Sequence, residues 1–332
     1  MNRPERVARL VAAATVAAAV GATAVVGRRL RREYESDMRE AYAAIEDADT
    51  ESVETSVGTV EYATRGEGTP VLVAHGIVGG FDQALRTGEG LLATDARIVG
   101  VSRFGYLGSE LPAAPTPENQ ARAYAAVLDE LAVEEAVVVG TSAGGAPAIR
   151  FALDYPERTR ALVLVGSATP SDEPVAGPTG PPHAILRDPV FWALVTYAPW
   201  TLLRLFGVDS DDYAGATPAE RRRVEELLET LVPVEPRKPG IENDERVTNT
   251  AMVERFAAYE LESLSVPTLV VHAEDDPLAS FDDARRVAER IPDAVFRSYE
   301  SGGHLVFGHG DEVADAVTAF VESAGPASLA QS

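Results

Sequence analysis

The chain of 332 residues contains no cysteine. That excludes a disulfide framework, a thiol nucleophile and any cysteine-ligated metal site. Lysine is almost as scarce, with Lys238 the only one, and 29 basic residues stand against 52 acidic ones for a formal net charge of -23. So acidic a surface repels phosphate backbones and excludes a nucleic-acid partner as an expectation. No Gly-x-Gly-x-x-Gly and no Gly-Lys-Ser/Thr occurs among the glycine-rich stretches, so a nucleotide-phosphate cradle is not expected either. Neither a metal site nor a cofactor is expected. Carboxylate in excess with almost no lysine fits a halophilic protein, in which salt screens the self-repulsion. The expectation is folding and activity that persist in molar KCl.

What is present begins with an uncharged run. Residues 7–27 (VARLVAAATVAAAVGATAVVG) carry one charge, Arg9, and are closed by Arg28, Arg29, Arg31 and Arg32. About 18 uncharged residues is the lower limit for a bilayer span, and the basic cluster after it reads as a stop. A single-pass membrane anchor in a transmembrane helix is the favoured reading. A cleaved signal peptide ending near Ala22-Thr23-Ala24 and an alanine-rich soluble helix are the alternatives. Arginines flank the run on both sides, so orientation is weakly specified, with the rest of the chain expected in the cytoplasm.

Residues 1–32 therefore form the anchor or signal segment with its basic flank, and 33–50 (EYESDMREAYAAIEDADT) an acidic linker, helical or flexible. Beyond it, short apolar or β-branched runs at 57–62, 71–74, 98–101, 136–139, 161–165, 268–271 and 294–299 read as strands, most of them buried on both faces. Helical patterns at 117–131 (opened by Thr-Pro), 146–155, 281–291 (opened by Ser-Phe-Asp-Asp) and 311–323 lie between them. This alternation predicts an α/β fold with a mostly parallel, doubly wound sheet. Residues 171–265 interrupt it with helical sequence and no buried strand. They read as an insertion that roofs the carboxyl ends of the strands, with Phe191, Trp192, Tyr197, Trp200, Phe206 and Tyr213 expected mainly in its own core. The core is thus 51–170 plus 266–325, and 326–332 is a tail.

The chemistry-bearing residues fall at strand ends. Residues 137–147 read VVVGTSAGGAP, placing Ser142 between Gly140 and Gly144 where a buried strand gives way to a helix. Side chains at those two glycines would collide with neighbouring elements if the turn is tight enough to expose the serine. A serine hydroxyl needs a base. Of five histidines, His304 follows the last predicted strand and shares the sheet edge with Ser142, whereas His309 reads as the cap of the final helix. The base needs a carboxylate to set its tautomer. The strand at 268–271 runs into His272-Ala273-Glu274-Asp275-Asp276-Pro277, and Asp276 is the chosen acid with Asp275 second. Oxyanion donors are expected from the Ile77 and Ala143 N–H groups, because the loop opened by His75-Gly76 follows a strand beside Ser142. His75 reads as a loop hydrogen-bonder, not a proton carrier.

These stretches, in this order, resemble the α/β-hydrolase superfamily: His75-Gly76, Gly-Thr-Ser142-Ala-Gly-Gly, the Asp276 turn and Gly-Gly-His304. The stretch Ser102-Arg103-Phe104-Gly105-Tyr106-Leu107-Gly108-Ser109 is similar to that family's loop after the next strand, and the insertion corresponds to its variable helical cap. A serine at the elbow argues against the branches that use aspartate there. The resemblance implies serine esterases, cofactor-free haloperoxidase-like hydrolases and iminopeptidase-like enzymes as relations, acting on an ester, thioester, lactone or amide of a small-molecule acyl substrate. Acyl transfer or perhydrolysis on the same residues, and a non-catalytic ligand-binding module, are the competing expectations.

Overall fold

The computed structural model of the chain describes residues 26–92, 96–173 and 180–325. The uncharged run expected to anchor the chain lies outside them apart from its last two residues, and so does the 326–332 tail. Among the described residues no helix is long and apolar enough to cross a membrane.

The chain divides into two units, residues 1–48 and 49–332. In the first, helix α1 spans 26–46, so the stretch expected as a helical or flexible linker is helical over most of its length. Arg31 and Glu35, one turn apart, pair at 2.7 Å on its exposed face.

The second unit is built on an eight-stranded sheet: β1 Thr50–Thr55, β2 Gly58–Arg65, β3 Thr69–Ala74, β4 Ala96–Val101, β5 Ala136–Thr141, β6 Thr159–Val165, β7 Thr268–Ala273 and β8 Val295–Tyr299, in spatial order β1-β2-β4-β3-β5-β6-β7-β8. From β4 to β8 every pairing is parallel; β1 and β2 form an antiparallel hairpin, and β2 joins β4 antiparallel. The central strands are buried on both faces, which is why their sequences run apolar without alternation. β1 (TESVET) has no counterpart among the expected strands. Its residues are exposed or half-buried, so it carries charge instead of an apolar run.

Helices α2 (Phe81–Leu91), α3 (Pro117–Glu130), α4 (Gly145–Asp154), α11 (Phe281–Arg290) and α12 (Gly310–Ser323) flank the sheet. Thr116 and Ser280 cap α3 and α11 by accepting the N–H groups of Asn119 and Asp283. α2 is likewise outside the expected helices, since Gly88 and Gly90 dilute its helical pattern. Gly88 is there for contact: a Cβ on it would stand 2.7 Å from Ile98 of β4.

Between β6 and β7 the described chain has no strand. It carries α5 Asp188–Tyr197, α6 Pro199–Leu205, α7 Ser210–Gly215, α8 Pro218–Glu229, α9 Lys238–Asn243 and α10 Asn249–Glu254, with short 3-10 and π turns. α5, α6 and α8 share a small apolar core with the loops above the sheet, through Phe191, Leu202, Val224 and Leu228 against Val78 and Tyr106.

Candidate active site

Strand β5 ends at Thr141, and the chain turns through a 3-10 turn, Ser142–Gly144, into α4. Ser142 sits at φ +49°, left-handed backbone that a non-glycine residue adopts at a cost of about 1–2 kcal/mol. The turn is tight on both sides. A Cβ on Gly140 would stand 2.8 Å from that of Ala148, and one on Gly144 would overlap the Ala74 carbonyl. Both positions need glycine for room, and the serine between them is driven out of the sheet plane.

His304 lies in the loop after β8, and its Nε2 is 2.9 Å from Ser142 Oγ. Its Nδ1 lies 2.9 and 3.1 Å from the two oxygens of Asp276. With the carboxylate accepting from Nδ1–H, Nε2 is left as the acceptor that faces the hydroxyl. The Asp276 side chain is fully buried. Burial by itself would raise its pKa, but hydrogen bonds from His272 and His304, and from the Ala279 N–H, hold it well below the ordinary carboxylate range. The neighbouring Asp275 serves the loop instead of the ring, accepting the Gly303 N–H at 2.9 Å and the Gly302 N–H at 3.3 Å. From the other side, the Phe206 carbonyl accepts the His304 N–H at 2.7 Å, and the Phe206 ring lies nearly parallel to the imidazole. His309 stands apart at the N-cap of α12, with its ring against Tyr299.

His272, at the end of β7, is fully buried, with Nε2 3.1 Å from both Asp276 Oδ2 and the Ala279 carbonyl. Both neighbours are acceptors, so Nε2 carries a proton. Nothing in the residue pattern distinguishes it from an ordinary core histidine.

The loop after β3 is fixed atom by atom. The Gln83 amide oxygen accepts the Gly76 N–H at 3.0 Å. The Gly76 carbonyl accepts from His75 Nδ1 at 2.7 Å and from Arg103 Nη2 at 3.2 Å, while His75 Nε2 accepts the Arg103 backbone N–H at 3.0 Å. His75 is thereby a neutral, fixed tautomer; burial, and then the Arg103 charge, push its pKa well below the ordinary histidine value. Carbonyl and N–H of a trans peptide point in opposite directions. A Gly76 carbonyl turned onto Arg103 and His75 therefore leaves the Ile77 N–H on the opposite side. Among the described residues neither the Ile77 nor the Ala143 N–H has an acceptor. Gly76 presses on the elbow, since a Cβ there would lie 3.0 Å from that of Ser142. Val78, next in the loop, is a β-branched residue at φ +63°.

A cavity of about 220 Å³ opens over Ser142 and His304. Its lining is largely apolar, including Ile77, Phe206, Leu227, Leu231, Leu278 and Val313. Of the six insertion aromatics named above only Phe206 reaches it; Phe191 and Trp192 are buried, and Tyr197 and Trp200 are exposed. Its two lining arginines are each neutralised: Arg86 pairs with Glu226 at 3.0 Å, and Arg223 with Glu220 at 2.8 Å and Asp311 at 3.0 Å. Among the described residues no group of three or more metal-ligating side chains converges.

A family model described as alpha/beta hydrolase fold matches residues 69–311. An uncharacterized hydrolase of Bacillus subtilis is 28% identical over 77% of this chain and 92% of its own length. A 2-hydroxymuconate semialdehyde hydrolase of Pseudomonas putida is 28% identical over 72% of this chain and 82% of its own. Among solved structures, an alpha/beta hydrolase fold protein of Nakamurella multipartita superposes with a TM-score of 0.71 at 28% identity, covering 83% of this chain and 100% of that one.

Proposed function

The chain belongs to the alpha/beta hydrolase fold family, and from that premise we propose that it is a serine hydrolase cleaving a carboxylic ester with an uncharged, apolar acyl group. The reading is carried by one observation: Ser142 Oγ, His304 and Asp276 form a continuous hydrogen-bonded line, 2.9 Å at each junction. In this mechanism His304 Nε2 takes the hydroxyl proton as Ser142 attacks the acyl carbon. Asp276 stabilises the resulting imidazolium, and the Ile77 and Ala143 N–H groups receive the oxyanion. Collapse of the tetrahedral species expels the alcohol, protonated by His304. Water activated by the same base then releases the acid and restores the serine.

The cavity supports the choice of acyl group. The Pseudomonas putida relative is named for a muconate substrate, and a muconate is a carboxylate. Here both arginines of the lining already hold carboxylates. A second anion would find no unpaired cation among the described residues of the lining, which disfavours it. Anchoring through residues 7–27 stays part of this reading; carbonate extraction of membranes carrying the full chain tests it, and release of the protein would remove it.

The test of the chemistry is labelling by a fluorophosphonate probe together with hydrolysis of short p-nitrophenyl esters. Ser142→Ala should abolish labelling and lower kcat by about 10⁵–10⁶-fold. Labelling that persists in Ser142→Ala refutes the reading.

A further inference from the structure

The cap holds the oxyanion loop through two ion pairs of opposite polarity, one buried and one with a part-exposed carboxylate. In the first, the core supplies the cation: Arg103 grips Asp244 of the cap with both Nη atoms at 2.6 Å, and both side chains are almost wholly buried. The same guanidinium donates Nε to the His75 carbonyl at 2.9 Å and Nη2 to the Gly76 carbonyl. Asp244 also accepts the Tyr106 hydroxyl at 2.6 Å, and that hydroxyl in turn meets the Val78 backbone. In the second pair the cap supplies the cation. Arg237, completely buried, pairs with Asp82 at 2.7 Å and donates to the Gly79 carbonyl at 2.7 Å. Backbone bonds from Gly240 N to Gly105 O and from Leu107 N to Pro236 O join the same surfaces.

Each pair thus ends on a carbonyl of the short loop that contains Ile77. Between the two anchored carbonyls, of Gly76 and Gly79, lies Val78 with its left-handed backbone. A loop carrying such a residue relaxes unless its surroundings over-determine it. Were the Gly76 peptide to rotate, its carbonyl, and not the Ile77 N–H, would face Ser142. Two donors on the Gly76 carbonyl oppose rotation, His75 Nδ1 at 2.7 Å and the Arg103 guanidinium at 3.2 Å, and what orients the guanidinium is a carboxylate of the cap.

We propose that Asp244 is a positioning residue for catalysis: through Arg103 and Tyr106 the docked cap fixes the Gly76–Ile77 peptide so that its N–H can receive the oxyanion. The proposal rests on the serine-hydrolase reading above. It assigns the cap a part in the chemical step beyond shaping the pocket. Its signature is therefore a loss that appears in the transition state and not in substrate binding.

The experiment compares the full wild-type chain with Asp244→Asn, which preserves shape and removes the charge that aligns Arg103. Rates on one p-nitrophenyl ester are measured together with inhibition by a trifluoromethyl ketone and by the matching methyl ketone. Ser142 Oγ adds to the trifluoromethyl ketone while His304 takes the proton, giving a hemiketal whose oxyanion needs the hole; the methyl ketone reports binding in the pocket. Asp244→Asn should lower kcat by about 10–100-fold with KM changed less than about twofold. Inhibition by the trifluoromethyl ketone should weaken by the same factor as kcat/KM, and that by the methyl ketone should not change. A folded Asp244→Asn with wild-type kcat overturns the proposal, and so does a parallel shift of KM and both inhibition constants. If Asp244→Asn does not fold, Tyr106→Phe takes its place, with the same pattern expected at about fivefold and the same results overturning it. A wild-type protein that fails to label at Ser142 would instead remove the underlying reading, so the two failures are distinguishable.

Discussion

His272 and His304 lie against one carboxylate: Asp276 Oδ2 is 3.1 Å from Nε2 of the first and 2.9 Å from Nδ1 of the second. The buried charge of Asp276 is therefore shared between a base that must move a proton and a histidine that only donates one. Replacing His272 by Phe removes a donor without emptying the site. We expect kcat to fall about tenfold at unchanged KM, because Asp276 is then less firmly held under His304.

The same variant makes a prediction about acid. A carboxylate whose folded pKa is depressed contributes stability above its unfolded pKa, and that contribution is lost as pH falls through the folded value. His272→Phe removes one of the bonds that depress Asp276. The wild type should thus exceed the variant in Tm at neutral pH, and the gap should close as the pH is lowered through and below about 4, the unfolded carboxylate range. Thermal melts from pH 7 down to the lowest pH at which both proteins stay folded check this; a gap that widens towards acid contradicts it.

Asp275 and Asp276 are neighbours with separable duties. Asp276→Asn should cost about 10⁴-fold in kcat, because an amide cannot hold His304 in the required tautomer. Asp275→Asn keeps one acceptor for the Gly302 and Gly303 N–H groups and should cost far less, about tenfold, mainly through a looser His304 loop. Equal losses in the two variants would contradict this division, and steady-state kinetics on one ester suffice to measure it.

Acyl selectivity should follow the wall formed by α8. Leu227→Trp is expected to narrow the cavity and move the optimum in a p-nitrophenyl ester series towards shorter chains. Independently, a hemisuccinate ester should be turned over at least about tenfold more slowly than the butyrate of the same alcohol, since an extra carboxylate finds its cationic partners already taken. Esters of both kinds, compared by kcat/KM, decide the matter.

Gly144→Ala tests the elbow as a packing device. The added methyl would overlap the Ala74 carbonyl, a backbone atom in the middle of the sheet that cannot step aside. A loss of about 1–3 kcal/mol of stability is expected from overpacking, read as a lowered Tm.

Much of this molecule is readable from residue order because its strands are buried on both faces. Uninterrupted apolar runs as short as ALVLV and TLVV fit little besides a strand in the middle of a covered sheet, and they fix where the chemistry-bearing loops emerge. The elbow is legible for the same reason: small residues at the end of such a run announce a tight turn. What is not legible obeys other rules. β1 is an acidic edge strand whose one apolar residue is Val53, and α2 keeps Gly88 for contact with β4 against its own helical propensity. The roles of Asp275, His272, Gln83 and Arg103 depend on the partners that folding brings to them. Arg103 and Asp244 stand 141 residues apart in the chain, so no local pattern could join them.

The two arginine pairs also bear on how such a protein can change over generations. A cap that only shaped a pocket could be deleted, lengthened or exchanged for another, and the remaining sheet would still turn over the smallest esters. Here, removing the cap takes Asp244 from Arg103 and Arg237 from Asp82, and the first loss alone strands a buried cation at a cost of about 3–5 kcal/mol. Grafting a foreign cap onto this core would then slow even acetate hydrolysis unless the graft brought a carboxylate to the Asp244 position. Substrate range and turnover are inherited together, and a lineage that alters one must keep four charged side chains in register.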